Sequence, residues 1–393
     1  MASVYARGKK YCVMYRYETE TGEIKQKRVS GFSSREEAWA AARDLEAKSS
    51  AGIDVNGDAM SCSELMERWF ADRCTALAAT TRAKYSSAID KLSDTFVADL
   101  QVRRLDTRKF NLLLDQLKEN VSVRTAVSYT EPLRLSLTWG VAERLIPLNP
   151  LANVRLPKIP KRSQRILTDD DVSSLLAASV SPQRRCRDFR IPLLLALYAG
   201  LRREECAGLR WEHVDFNHNR ITVCEAITMT PDGAQHLKDP KTDLSARTIS
   251  MPAWVMQELR KEYDKFLSRT NEHILQHNPA HRVCVTSTGD PYSCKSYAHA
   301  ILRLIREVNA VREKNKQPRM PEASFHDLRH THAAMLIRRN IQPKIISERL
   351  GHSSIKITMD LYGYLMPGLQ DAVAEIFDKE AEANAAPAAA SAG

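Results

Sequence analysis

The feature that most constrains this chain is a break in it. From residue 149 it reads Asn-Pro-Leu-Ala-Asn-Val-Arg-Leu-Pro-Lys-Ile-Pro-Lys-Arg-Ser-Gln-Arg, ending at Arg165. Prolines 150, 157 and 160 remove main-chain donors and fix φ, and residues 155–165 hold no glycine and no acid. Such a run continues neither a helix nor a central strand, so it predicts an extended interdomain linker over 154–165. A chain of 393 residues is long enough for two or three domains on either side of it.

The strap carries Arg155, Lys158, Lys161, Arg162 and Arg165, and the whole chain has a formal net charge of +10. An excess of this size favours a polyanionic partner, because each neutralised phosphate releases condensed counterions. On the strap the charges either line one side of a duplex or are simply solvated. No apolar run is long enough to span a bilayer, and the first residues, MASVYARGKKY, lack the apolar core of a secretory signal. We therefore expect a cytoplasmic protein with no membrane partner. No two of the eight cysteines stand in a C-x-x-C arrangement, so reduced thiols are expected, without a structural zinc.

The chain reads as mainly α with small β elements. Residues 1–52 predict a small sheet closed by a helix. Tyr11, Val13, Tyr15 and Tyr17 alternate in a period of two, residues 20–23 make a hairpin turn, and 24–29 return. Ser33 or Ser34 caps a helix through Trp39 and Leu45. Lys9, Lys10, Arg16, Lys25, Lys27 and Arg28 give this unit a basic face suited to a DNA groove, or a solvated face above tyrosines that pack on the helix. Residues 58–153 predict a helical domain, with Thr80-Thr81 opening its second segment and Asp106 capping its third. A fourth segment, 123–144, must be kinked or interrupted at Pro132.

Thr168-Asp-Asp-Asp starts a third region, 166–383, in which Thr168 caps a helix with acids on its first turn. Helices are predicted at 169–179, 188–199, 204–210, 253–268 and 295–311, and from about 326, 343, 356 and 368. A strand pair is predicted around 219–227 and 246–251. Residues 384–393 are low-complexity and predict a disordered tail.

Four stretches of this region carry chemistry: Gly200-Leu-Arg202-Arg203-Glu204-Glu205, Pro240-Lys241-Thr242 followed by Arg247-Thr-Ile, His326-Asp-Leu-Arg329-His-Thr-His332, and Leu350-Gly351-His352, ten residues before Tyr362. Two arginines offer forked, permanent cations for phosphate oxygens. Two histidines and a lysine can move protons near neutral pH. A tyrosine can attack phosphorus if it is activated. His326 and Arg329 are i,i+3 neighbours and can address one site, and Gly351 can turn the chain so that His352 enters from a helix end.

In this order and spacing the stretches resemble the tyrosine recombinases, the family of phage and transposon integrases. The likeness is tightest over 166–366, looser over 58–158, which resembles the helical core-binding domain, and weakest over 1–52, which resembles an arm-binding module. It implies a mixed α/β catalytic domain. Arg202 matches the first catalytic arginine, Glu205 its acidic partner, and Lys241 the general acid. His326 with Arg329 matches the second pair, His352 the next histidine, and Tyr362 the nucleophile, with Tyr364 a rival two residues on. Glu204, Cys206 and Asp243 depart from the commoner residues, two of them adding negative charge near a phosphate site.

The resemblance implies a site-specific recombinase that cleaves and rejoins double-stranded DNA attachment sites through a 3′-phosphotyrosyl intermediate. It implies a homotetramer on DNA, with DNA-bending or excision proteins as accessory partners and the segment 368–383 packing on a neighbouring copy. The bond energy stays in the phosphotyrosine, so we expect no nucleotide, and with no acidic metal cluster in these stretches we expect no catalytic metal and no other cofactor. Three readings compete: a type IB topoisomerase, a zinc enzyme using His326 and His330, and a DNA-binding regulator without activity.

Overall fold

The computed structural model describes residues 2–18, 24–50, 60–159, 165–180, 189–230, 233, 235–238, 246–268, 278–286, 290, 292–362, 374, 377–378 and 380–381. The chain forms two compact units, 1–161 and 162–393, divided inside the proline-bearing run.

The first unit opens with an antiparallel sheet of β1 (Ala2–Arg7), β2 (Lys10–Glu18) and β3 (Ile24–Phe32), in that order. Strand β1 was not expected. It is short, and the Gly8-Lys9 turn that joins it to β2 was its only sequence signal. Helix α1 (Arg35–Ser50) covers one face, where Val13 and Tyr15 are buried with Ala38, Ala42 and Leu45. Its cap is Ser34, whose hydroxyl accepts from the Glu37 N–H at 3.1 Å, while Glu37 accepts from the Ser33 N–H at 2.8 Å. The expected turn at 20–23 lies outside the described residues.

Helices α2 (Cys62–Arg73), α3 (Ala79–Ser93), α4 (Thr107–Lys118), α5 (Val123–Tyr129) and α6 (Glu131–Ala142) follow. They enclose Leu65, Met66, Trp69, Phe110, Leu113, Leu133 and Leu137. Burial of each such side chain contributes about 1.5–3 kcal/mol. Asp106 caps α4 as expected, accepting from the Lys109 N–H. The segment 123–144 is two helices. Pro132 sits in the first turn of α6, where a missing N–H costs no helical bond.

The second unit begins with α7 (Asp169–Ser179), whose capping box joins Thr168 and Asp171. Helix α8 (Arg190–Leu194) widens into a π-helical turn over Leu195–Ala199, so the expected straight helix to 199 is replaced by two forms. After α9 (Arg203–Gly208) come β4 (Val214–Asp215), β5 (Arg220–Val223), β6 (Ala226–Met229), β7 (Gln235–Lys238) and β8 (Arg247–Ser250). The expected single strand pair is two sheets. Strand β5 pairs with β4 and β8, whereas β6 leaves after Cys224-Glu225 to form its own hairpin with β7. The helices α10 (Ala253–Ser268), α11 (Cys294–Lys314), α12 (Phe325–Ile337), α13 (Pro343–Leu350) and α14 (Ile355–Tyr362) complete it. The expected helix start near 368 and the tail 384–393 lie outside the described residues. One apolar core joins the helices to β5 and β8 through Leu193, Leu197, Ile221, Ile249, Leu259, Tyr297, Leu304 and Leu328. No helix among the described residues is long and apolar enough to cross a membrane.

Candidate active site

The site is assembled by two left-handed turns. The first is Gly200, at φ +66°, which ends the π-helical turn. A Cβ there would lie 2.6 Å from His332 Cδ2 and 2.7 Å from Leu350 Cδ2, so only glycine fits. The chain then releases Arg202 at the N-cap of α9. Glu205, three residues on, reaches back and accepts from the Arg202 N–H at 2.8 Å and from Arg202 Nη1 at 2.7 Å. The second turn is Gly351, at φ +63°, which ends α13 and whose carbonyl accepts from Arg202 Nη2 at 3.2 Å.

Glu205 is 7 % exposed and serves more than one arginine. Arg247, at the start of β8, donates to it from Nη1 at 3.1 Å and Nη2 at 2.8 Å. Arg329 Nη1 stands 3.9 Å away. Burial alone would raise this carboxyl, but the bonds and charges of Arg247, Arg202 and Arg329 outweigh it and hold it at about 2. Arg329 is 2 % exposed and donates to the carbonyls of Gly200 at 2.7 Å and Leu350 at 2.6 Å, tying both turns to α12.

The Ser324–Asp327 capping box sets the start of α12, so His326, Arg329 and His330 follow at helical spacing. The His326 and His330 rings meet edge to face, with centroids 4.6 Å apart. Burial, then the Arg329 charge, lowers His326. Burial, then His326, lowers His330 to about 4. Burial, then Arg329, Arg202 and Arg247, lowers His352 to about 4. These rings are neutral at pH 7. His352 Nδ1 lies 2.9 Å from Thr358 Oγ1, which fixes α14 against the histidine turn. Tyr362 stands one helical turn beyond Thr358, as the last residue of α14.

The structure thus brings together Arg202, Glu205, His326, Arg329 and His352. Lys241 and Tyr364 lie outside the described residues, as does the side chain of Tyr362. The charge of Glu204 is met by Arg203 at 2.8 Å. Sequence reasoning gave no role to Arg247, His332 or Arg349. Arg247 and His332 stood inside the quoted stretches, and Arg349 had no signal beyond its place before Leu350-Gly351-His352.

The predicted DNA-contact residues do not share one surface. Cross-strand partners lie on the same face. Lys27 is opposite Tyr15 and Lys25 opposite Tyr17, which puts both lysines on the face that α1 covers. Arg28 is opposite Met14 and Arg16 opposite Gln26, on the other face, and Lys10 pairs there with Arg7. The Arg28 guanidinium carbon lies 5.9 Å from the Tyr5 ring centroid, on that open face. Lys9 is in the turn. Arg155 and Lys158 are exposed, Arg165 donates to the Glu322 carbonyl at 2.5 Å, and Lys161 and Arg162 lie outside the described residues. No group of three or more histidine, cysteine or acidic residues able to hold a metal occurs among the described residues.

Guanidiniums and neutral imidazoles around one buried carboxylate can hold an anion such as a phosphate, and comparison with known proteins places the chain in a family. Residues 165–365 match the phage integrase family, and residues 3–49 match an arm DNA-binding domain. An integrase named ICEBs1 integrase, from Bacillus subtilis strain 168, is 26 % identical over 61 % of this chain and 61 % of its own length. A solved structure of the Tn1549 transposon integrase in complex with a circular intermediate DNA superposes with a TM-score of 0.69 at 19 % identity, covering 81 % of this chain and 99 % of that one. A lambda integrase tetramer bound to a Holliday junction gives 0.52 at 18 % identity, over 91 % and 94 %. The chain belongs to the phage integrase family and is a tyrosine-type site-specific recombinase.

Proposed function

We propose that this recombinase integrates or excises a mobile element by cutting DNA with Tyr362. The phenol oxygen bonds to phosphorus as the bond from phosphorus to the 5′ oxygen breaks. The strand is then held as a 3′-phosphotyrosine, and attack by a new 5′ hydroxyl reverses the step. Arg202 and Arg329 stabilise the charge that builds on the non-bridging oxygens. Lys241 protonates the departing 5′ oxygen. His326 and His352, held neutral, can accept the phenol proton or hold a phosphate oxygen.

One observation carries this reading. Arg202, Arg247 and Arg329 converge on a single buried carboxylate, leaving a positive excess beside neutral imidazoles. A phosphodiester neutralises that excess. A zinc reading lacks a third ligand, because the one acid on the helix that carries His326 and His330, Asp327, is engaged by the N–H and hydroxyl of Ser324.

The substrate is double-stranded attachment-site DNA, acted on in the cytoplasm by four copies of the chain. The open face of the N-terminal sheet, with Arg7, Lys10, Arg16 and Arg28, is the arm-site surface. The exposed face of α11, with Lys295, His299, Arg303 and Arg306 at helical spacing, adds a basic stripe that sequence reading missed. Bending or excision proteins complete the assembly. A nicked suicide DNA, which traps the adduct, tests the proposal. Tyr362→Phe is expected to bind this DNA with unchanged affinity and to form no adduct. Adduct at the wild-type level from that variant overturns the assignment.

A further inference from the structure

The elements that carry the arginines are joined through one side chain that no comparison points to. Arg349, in the last turn of α13, donates from Nη2 to the Tyr198 carbonyl at 2.6 Å, from Nη1 to the Ser250 carbonyl at 3.1 Å and from Nε to His332 Nε2 at 3.1 Å. Its own carbonyl accepts from Arg247 Nε at 2.8 Å. Residue 349 therefore touches the π-helical turn before Arg202, the end of the β8 strand after Arg247, and α12 beside Arg329.

His332 completes the clamp. Its Nδ1 lies 2.8 Å from the Leu197 carbonyl, which can only accept, so Nδ1 carries the proton. Arginine can only donate, so Nε2 is the acceptor. The two side chains thus take the carbonyls of Leu197 and Tyr198, at the end of a helix where carbonyls lack helical partners. Arg329 takes the carbonyl of Gly200, two residues on. The bonds to Leu197, Tyr198 and Gly200 all hold main chain within five residues of Arg202.

We propose that Arg349, seated on His332, is a positioning residue that sets the Gly200 turn and so aims Arg202 at the scissile phosphate. Its guanidinium spends its fork on two carbonyls and an imidazole, and a lysine has no planar fork to replace it. The inference rests on the reading of Arg202 as a phosphate-gripping arginine.

Single-turnover cleavage of a suicide DNA at saturating protein tests it, with DNA affinity and melting temperature measured on the same preparations. Arg349→Met and His332→Phe are expected to bind DNA within about twofold of wild type yet cut between about tenfold and 100-fold more slowly per folded molecule. The double variant is expected to be no slower than the slower single one, since both changes break one clamp. If Arg349→Met does not fold, Arg349→Lys keeps the charge but offers its donors from a single nitrogen, and slow cutting at unchanged affinity is expected there too. Wild-type rates per folded molecule in these variants, rate losses matched by lost affinity, or losses that multiply in the double variant overturn the proposal. Arg202→Lys is the control. If it also cuts at the wild-type rate, the reading of Arg202 fails; if it alone is slow, only the role of Arg349 fails.

Discussion

Glu205 shows how one carboxylate organises a cationic site. It accepts from the Arg202 main-chain N–H at the start of α9, is partner to the Arg202 guanidinium and is bidentate acceptor for Arg247, so each bond restrains the others. The histidines around it stay neutral because burial and three guanidiniums disfavour a further positive charge. A lowered histidine binds its proton more weakly in the folded state than in the unfolded chain, which titrates near 6.5. The stability that follows is complete above that pH and falls as pH drops from 6.5 toward 4. NMR titration of the free protein is expected to find the His330 and His352 rings neutral down to about pH 4, and a midpoint near 6.5 for either ring would contradict the burial argument. Arg202, His326, Arg329 and His352 were legible in the sequence because each sits in a short motif with fixed spacing. Arg247, His332 and Arg349 were not, because their roles depend on carbonyls presented by turns that spacing does not reveal.

The elements that matter most are the ones local pattern could not give. An apolar run through Leu193–Leu197 reads as one helix, and nothing in it marks where α-helical bonding widens to π. The widening brings both the Gly200 and Leu201 N–H groups to the Leu195 carbonyl and lets the chain turn sharply before Arg202. Gly200→Ala is predicted to cost at least about 1–2 kcal/mol from the left-handed backbone alone, with the clash against His332 and Leu350 adding to it. Chemical denaturation measures the stability and suicide-DNA trapping the activity, and both are expected to fall. An alanine variant as stable as wild type would mean that the turn does not need its observed conformation. Helix caps at Thr168 and Asp106, by contrast, were read correctly, and the first cap was narrowed to Ser33 or Ser34, since a cap is a local bond between near neighbours. The sheets lay between these extremes. Strands β5 and β8 were anticipated, but the separate β6–β7 hairpin was not, because a two-residue break does not say which partner a strand leaves for.

At the scale of the whole molecule, two compact units share a basic chain. The division near Lys161 was visible from proline spacing alone, and the helical content from apolar periodicity. Which basic residues share a surface was not visible, because a strand pattern gives alternation without saying which face the covering helix takes. The structure separates Arg16 and Arg28 from Lys25 and Lys27, and the distinction is measurable. Binding of arm-site DNA followed against salt concentration gives a slope set by the number of phosphates neutralised. Arg28→Gln is expected to reduce that slope by about one, whereas Lys27→Gln, on the face beneath α1, leaves it unchanged. The reverse result would place DNA on the helix side of the sheet.

The mechanism proposed above has a phenol at the end of α14 attack a phosphate gripped by Arg202 and Arg329. Its most direct test is to trap the full-length protein on nicked attachment-site DNA, digest the adduct, and locate the modified residue by mass spectrometry. A single DNA 3′-phosphate linkage, on Tyr362, is expected. A linkage on Tyr364, or on any residue outside the Thr358–Tyr362 turn, would contradict it.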